Sequence, residues 1–539
     1  MRIGTTRSVR RGRILAASAL VLLSGCSEGG GGCSDCGTVV IAAAGEPSSL
    51  VPPLIDQTVG RDISDQVYQR LADLAPGSSP LEPSAYRPGL AQRWERIDSL
   101  SWRFHLRPDA RWHDGRRVTA SDVVFSFEAY ADSTLDSPAR SQLAGHVRAS
   151  VEDSTTVRVT FTEPSPEQLY DATYHVRILP GHIWASIPRD QWAADTAVAH
   201  LVGSGPYRVR DWRRGQSLTL IADSAATRGT RPAIRRAVWR FVPDPDAALN
   251  LVLGHEADLL EAVGAPNRAQ RVSADTSFRL VTYPAAVYGF LAFRLADAAG
   301  RPHPVLHDRE VRRALTEAVD RPTLARAVFG EGTRVPPGPM SQLLWIWDDG
   351  TKVLAFDSAH ARSVLARGRP LSVDILVPAT SPTRRQLALV IQEAWRRAGV
   401  EATVTTVEFP VFQERLAKGR FDSYIGAYLD EPSPRGLADQ WSKAGWGVLN
   451  YGRYGNPAFD SLLARARRQT DVATARRQWR EAMDTLNADA PAIFLYALAN
   501  RAAVQGRLED VKLDPYSWLS GLREWRIDRG KALARDSVR

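Results

Sequence analysis

The sequence predicts a mixed α/β protein, and three observations carry that prediction. Between residues 373 and 409 an apolar strand, an amphipathic helix and an alternating strand follow one another, the succession of a right-handed crossover in a largely parallel sheet. At 101–106 and 147–162 apolar and polar residues alternate with a period of two, as half-buried strands do. The chain has 539 residues, 44% hydrophobic and 24% charged, enough for large cores of ordinary globular composition and about three or four domain-sized units.

The elements follow in order. The first 25 residues hold five arginines and no acid, then an apolar run at 14–23 that is too short to span a bilayer. Leu23-Ser24-Gly25-Cys26 resembles a bacterial lipobox, which implies cleavage before Cys26 and lipid on that residue, the mature body being held at the membrane by its lipid. A Gly-rich tether follows. Its Cys33 and Cys36 are too few to close a tetrahedral zinc site, so a local disulfide is expected, and no cysteine follows them. The formal charge of +9 falls to 64 basic against 60 acidic residues once the leader is set aside, and no clustered basic face interleaved with aromatics stands out. Nucleic-acid binding is not expected.

A strand at 39–43 leads to the loop Gly45-Glu46-Pro47-Ser48-Ser49-Leu50 and a helix expected at 65–74. Residues 75–89 form a Pro- and Gly-rich loop. In 101–106 Trp102, Phe104 and Leu106 share one face; Asp114-Gly115 makes a turn; Thr119 opens a helix with Asp122 as its capping-box partner. A hairpin is expected at 147–162 around Glu152-Asp153-Ser154, and mixed helical structure at 165–200. The glycines of Val202-Gly203-Ser204-Gly205-Pro206-Tyr207 are not a phosphate loop, because no lysine follows and no helix begins. Strands at 218–221 and 238–242 precede a helix capped by Asp244; a strand lies at 278–295; Asp308 opens a long helix through Val311, Leu315 and Val319. After the 373–409 unit, whose helix is stopped by Gly399, comes an aromatic, glycine-broken stretch at 421–454. Helices from Asn456 to about Asp489 and a strand at 491–498 complete the body, with no internal repeat.

The wording of several stretches is more specific than their structure. Leu90, Ala91, Trp94, Phe104-His105-Leu106-Arg107, His113-Asp114-Gly115, Thr119-Ala120 and Asp122-Val123-Val124-Phe125-Ser126 closely resemble the signature of the family 5 solute-binding proteins of ABC importers. The 202–207 phrase resembles that family's GTGPY, and 45–50, 288–293 and 311–325 match further phrases. The resemblance spans nearly all of 38–510. It implies a periplasmic-binding-protein-like α/β fold: two lobes, a central ligand cleft and hinge, and an extra subdomain on the first lobe. The expected divisions are leader 1–25, tether 26–37, lobe I at 38–75, 203–280 and 489–539, subdomain 76–202 and lobe II 281–488.

A receptor that closes on its solute must touch it from both lobes. In the first lobe Glu46, Pro47 and Ser48 follow a strand end. In the second, the resemblance implies an acid four residues before Pro432 to pair a peptide's amino terminus. Tyr428 stands there, with Asp430 and Glu431 as neighbouring acids. Trp441, Trp446, Asn450 and Tyr451 are candidate aromatic walls and a polar handle, Trp345 and Trp347 favour core packing, and Tyr207 is expected to buttress the hinge strands. His105 and His113, on a strand and a turn without metalloprotease spacing, are expected to be structural, and no metal or cofactor is expected. No GxSxG elbow, SxxK set, HExxH helix or phosphate loop is found.

The resemblance therefore implies a monomeric, lipid-anchored receptor outside the cytoplasm. It would deliver a small solute, a peptide first, to membrane permease subunits. A ligand sensor without transport, or a hydrolase on the same scaffold, are the alternatives.

Overall fold

The computed structural model describes residues 37–223, 232–367 and 370–537. The leader, Cys26, Cys33 and Cys36 lie outside the described residues.

A ten-stranded mixed sheet runs through the body in the order 401–407, 372–378, 423–429, 278–293, 492–505, 259–260, 38–43, 236–241, 217–222, 207–213. Two long central strands, Phe278–Phe293 and Ala492–Gln505, pair antiparallel and carry the chain from one lobe to the other. Their ladder is irregular between Pro284 and Tyr288, where proline removes a donor. On one side of that break Tyr283, Ala502 and Val504 pack with Val39, Ile41, Trp239 and Trp518 in the core of lobe I. On the other, Tyr288, Phe290 and Phe494 pack with Trp441, Trp479 and Phe412 in lobe II.

The crossover unit forms as expected. Ser372–Pro378 is parallel to both Glu401–Val407 and Ser423–Leu429. Its connecting helix Pro382–Arg397 is capped by Ser381 and buries Leu387, Ile391 and Trp395; Gly399 follows at φ +90°, left-handed backbone that glycine adopts without strain.

A four-stranded antiparallel sheet, 91–96, 101–106, 156–161 and 147–153, has its own core around Phe104, Trp112, Val123 and Tyr170. Helix Ala120–Ala131 opens with the expected capping box: the Thr119 amide donates to Asp122 Oδ2 at 2.8 Å.

Two expectations are corrected. The first helix is Thr58–Val67, not 65–74, and Ala72–Leu74 is a strand paired with Tyr86–Pro88. The helix stops because Gly203 and Gly205 press on its last turn, where a Cβ on Gly203 would lie 1.8 Å from the Val67 carbonyl oxygen. The helix opened by Asp308 is also shorter than expected, Arg309–Glu317, since Asp320 caps a separate helix, Arg321–Phe329.

Candidate ligand-binding cleft

The loop that follows strand Ser423–Leu429 reaches from lobe II to the subdomain. The Asp430 amide donates to Ala286 at 2.7 Å, and its carboxylate accepts from the Ser341 amide at 2.5 Å. Ser433 donates to Glu167 at 2.6 Å. Arg435 forks onto Asp171 at 2.5 and 3.0 Å and reaches Glu167 at 2.5 Å. Glu167 and Asp171 are both buried, at the start of helix Gln168–Thr173, so charge-assisted bonds tie the two bodies together.

Glu431, beside this clasp, makes no hydrogen bond or ion pair with any described residue. It remains reachable by water yet is enclosed by protein, and that enclosure raises its carboxyl while Arg61 and Arg435 partly oppose. With Arg61, Tyr130, Tyr174 and His175 it lines a cavity of about 80 Å³ where lobe I, the subdomain and lobe II meet. Burial, assisted by Arg435, Arg70 and Arg177, pushes the His175 imidazole down to about 3, so the ring is neutral. Arg70 and Arg177 share Asp65, at 3.1 and 2.6 Å. Burial alone would raise that acid, but the two guanidinium groups win and hold it well below the usual range.

At the hinge, helix Thr58–Val67 presents Asp62. The side chain is fully buried, and neither carboxylate oxygen has a hydrogen-bond partner of ordinary geometry; the Trp518 indole is near enough only to oppose the effect of burial weakly. Burial raises its pKa strongly, and the facing Glu261 raises it further. Glu261 follows strand Leu259–Leu260 and sits 3.5 Å from the Tyr283 hydroxyl, which Asn500 also reaches at 3.3 Å. Burial pushes Glu261 up to about 7 and Asp430 to about 7. The described residues include no group of three or more His, Cys, Asp or Glu placed to hold a metal ion.

The predicted site residues divide. Asp430 and Glu431 reach the junction. Tyr428 is half-buried, donates to the Leu449 carbonyl at 2.6 Å and packs on Phe290, so its hydroxyl is used inside lobe II. Trp441 is buried with its indole N–H on Tyr288, 3.0 Å away. Trp446 donates to Tyr454 at 2.7 Å, and the Asn450 amide is spent on Ser442 and Tyr454. Tyr451 packs on Tyr424. These four shape lobe II.

In lobe I, Glu46 accepts from Trp212 and the Gly215 amide, both at 2.8 Å, which fixes hairpin 207–222; Pro47 is buried and Ser48 is exposed. Trp345 is buried in the lobe II core, and Tyr207 is fully buried with its hydroxyl on Ile234. His113 is held between Gly203 and Gly205, and His105 lies on Glu95 at 3.2 Å, both structural as expected.

The sequence did not single out Arg61, Asp62, Tyr174, His175 or Glu261. No short-range pattern marked them: Asp62 and Gln66, four apart, share the buried face of a helix expected at 65–74, and their burial shows only in the fold.

Comparison with known proteins agrees with this architecture. The model of the bacterial extracellular solute-binding proteins, family 5, matches residues 85–447. The heme-binding protein A of Haemophilus influenzae is 25% identical over 520 residues, 89% of this chain and 91% of that protein. The dipeptide-binding protein of Escherichia coli is 24% identical over 516 residues, 89% and 92% of the two chains. The oligopeptide-binding protein AppA of Bacillus subtilis superposes with a TM-score of 0.72 at 21% identity, over 91% of this chain and 99% of that one. On the family match, over most of its length, this chain belongs to the family 5 bacterial extracellular solute-binding proteins.

Proposed function

We propose that this receptor closes its two lobes over a small solute, a peptide first, and delivers it to the permease of an ABC importer without altering it chemically. The family match over residues 85–447 carries the reading. It is supported by a dipeptide-binding relative and by a structural neighbour solved with a nonapeptide. The clasp of Arg435 on Glu167 and Asp171 supplies contacts made only when the bodies are together, which a docking partner can read. Asp430 and Glu431 are the proposed lobe II ligand contacts and Ser48 a lobe I contact, with Tyr428, Trp441, Trp446, Asn450 and Tyr451 forming the wall behind. The divisions expected from the sequence are kept as the proposed domain limits. The protein acts as a monomer, held outside the cytoplasm by lipid on Cys26; among the described residues no helix is long and apolar enough to cross a membrane.

A ligand that binds only the folded state raises its melting temperature by mass action, about 2.7 kcal/mol at a hundredfold excess over Kd. A panel of di-, tri- and nonapeptides is expected to contain members that do so, recovered intact by mass spectrometry. A panel that leaves the melting point unmoved, or returns cleaved peptides, refutes the reading. Intact mass of the membrane fraction, wild type against Cys26→Ser, tests the anchor.

A further inference from the structure

The charged groups around the junction do not balance locally. Arg70 and Arg177 are bound to Asp65, and Arg435 to Asp171 and Glu167. That leaves Asp62 and Glu261 at the hinge and Glu431 on the lobe II loop with no ion pair among the described residues. Arg61 faces both Asp62 and Glu431 and is itself in no ion pair there.

A buried carboxylate with two unpartnered oxygens is costly unless something completes it. Asp62 is such a group. A second unpartnered polar atom is the buried Tyr516 hydroxyl, on the C-terminal segment, which faces Asp430 and Glu431 of the lobe II loop. Arg61 is one cation against these acids, so a further cation would let Asp62 and Glu261 ionise instead of holding protons. Since no three ligating side chains converge among the described residues, an N–H-bearing cation fits better than a metal ion.

We infer that Asp62 and Glu261 receive an alkylammonium or guanidinium group of the solute, so that the receptor selects basic solutes. This rests on the receptor reading above. Two acids from different elements, helix 58–67 and the turn after 259–260, would straddle one cationic head. Tyr283 and Asn500 fix Glu261 from the hinge strands. The pair lies in lobe I, apart from the lobe II loop of Asp430 and Glu431, and so would read a second positive group.

The test is calorimetry on the full chain with trilysine, trialanine and spermidine. Wild type is expected to bind trilysine at least tenfold more tightly than trialanine. Asp62→Asn and Glu261→Gln should each lose that preference and keep trialanine binding. Asp62→Asn removes no hydrogen bond of ordinary geometry, so its ligand-free melting temperature should not fall; should it misfold, Glu261→Gln, at a half-buried position, carries the test. Spermidine binding that both variants lose supports the ammonium chemistry from a free-amine source. Equal affinity for trilysine and trialanine, or variants that keep the preference, overturns the inference and leaves the receptor standing. Binding of none of the three, together with a silent peptide panel, overturns both.

Discussion

Arg435 and Asp171 meet in a two-pronged ion pair, at 2.5 and 3.0 Å, although 264 positions separate them in the chain. One belongs to a lobe II loop and the other to the subdomain. Glu167 and Ser433 complete the clasp, and the guanidinium also lies 5.8 Å over the Tyr170 ring. Removing the arginine strands two buried carboxylates, a change of roughly 3–5 kcal/mol for a buried pair. Arg435→Ala should therefore enlarge the radius of gyration seen by small-angle scattering and weaken peptide binding at least tenfold. An unchanged radius and affinity would show the clasp to be incidental to closure.

Ligand-free stability should rise as pH falls from about 7.5 to 5. Burial holds Asp430 and Glu261 each near 7, above ordinary values of 3.8 and 4.5. In that window the folded chain holds protons that the unfolded chain has released, so acid favours folding. For Asp430 the gain is roughly 2 kcal/mol, each tenfold difference in proton affinity between folded and unfolded chain being worth about 1.4 kcal/mol. Below about pH 4 the trend reverses, because Asp65, held low by Arg177 and Arg70, must then be protonated. Denaturant midpoints at pH 5 and 7.5 check this; Asp430→Asn should flatten the slope, and an equal slope in that variant refutes the assignment.

The C-terminal segment is a structural clasp on the first strand. Arg507 donates to Asp258, Asp536 and the Thr38 carbonyl, each at 2.7 Å, and Asp536 accepts from the Thr38 amide at 2.8 Å. All four residues are buried. Arg507→Ala should cost roughly 3–5 kcal/mol in urea unfolding, as for one partner removed from a buried ion network. A loss under about 1 kcal/mol would mean that water satisfies the remaining acids.

Gly203→Ala should be among the most damaging single-methyl changes. Its Cβ would lie 1.8 Å from the Val67 carbonyl oxygen and 2.6 Å from the carbonyl carbon, so backbone must move. Overpacking of this kind costs about 1–3 kcal/mol or more. Gly399→Ala, with open space around its Cβ but φ +90°, should cost about 1 kcal/mol through strain alone. Melting temperatures of the pair rank the two effects; the reverse order would refute the contact.

Much of the local structure is legible in short stretches of sequence, the first helix and the end of the helix opened by Asp308 being exceptions. The Thr119–Asp122 box, the Ser381 and Asp244 caps and the alternation at 101–106 specify their elements because capping and periodicity act within a few residues. The two glycines of 202–207 stood out in the sequence, and only the fold shows that they press on the last turn of helix 58–67. Long-range packing sets which candidate groups are spent and which are left over. Trp441, Asn450 and Tyr428 looked like ligand contacts, yet their polar atoms find partners inside lobe II. Asp62 lay outside the helix expected at 65–74 and drew no notice, yet in the fold it is a fully buried acid facing Glu261. Burial and charge balance depend on residues hundreds of positions apart, and no short-range pattern encodes them.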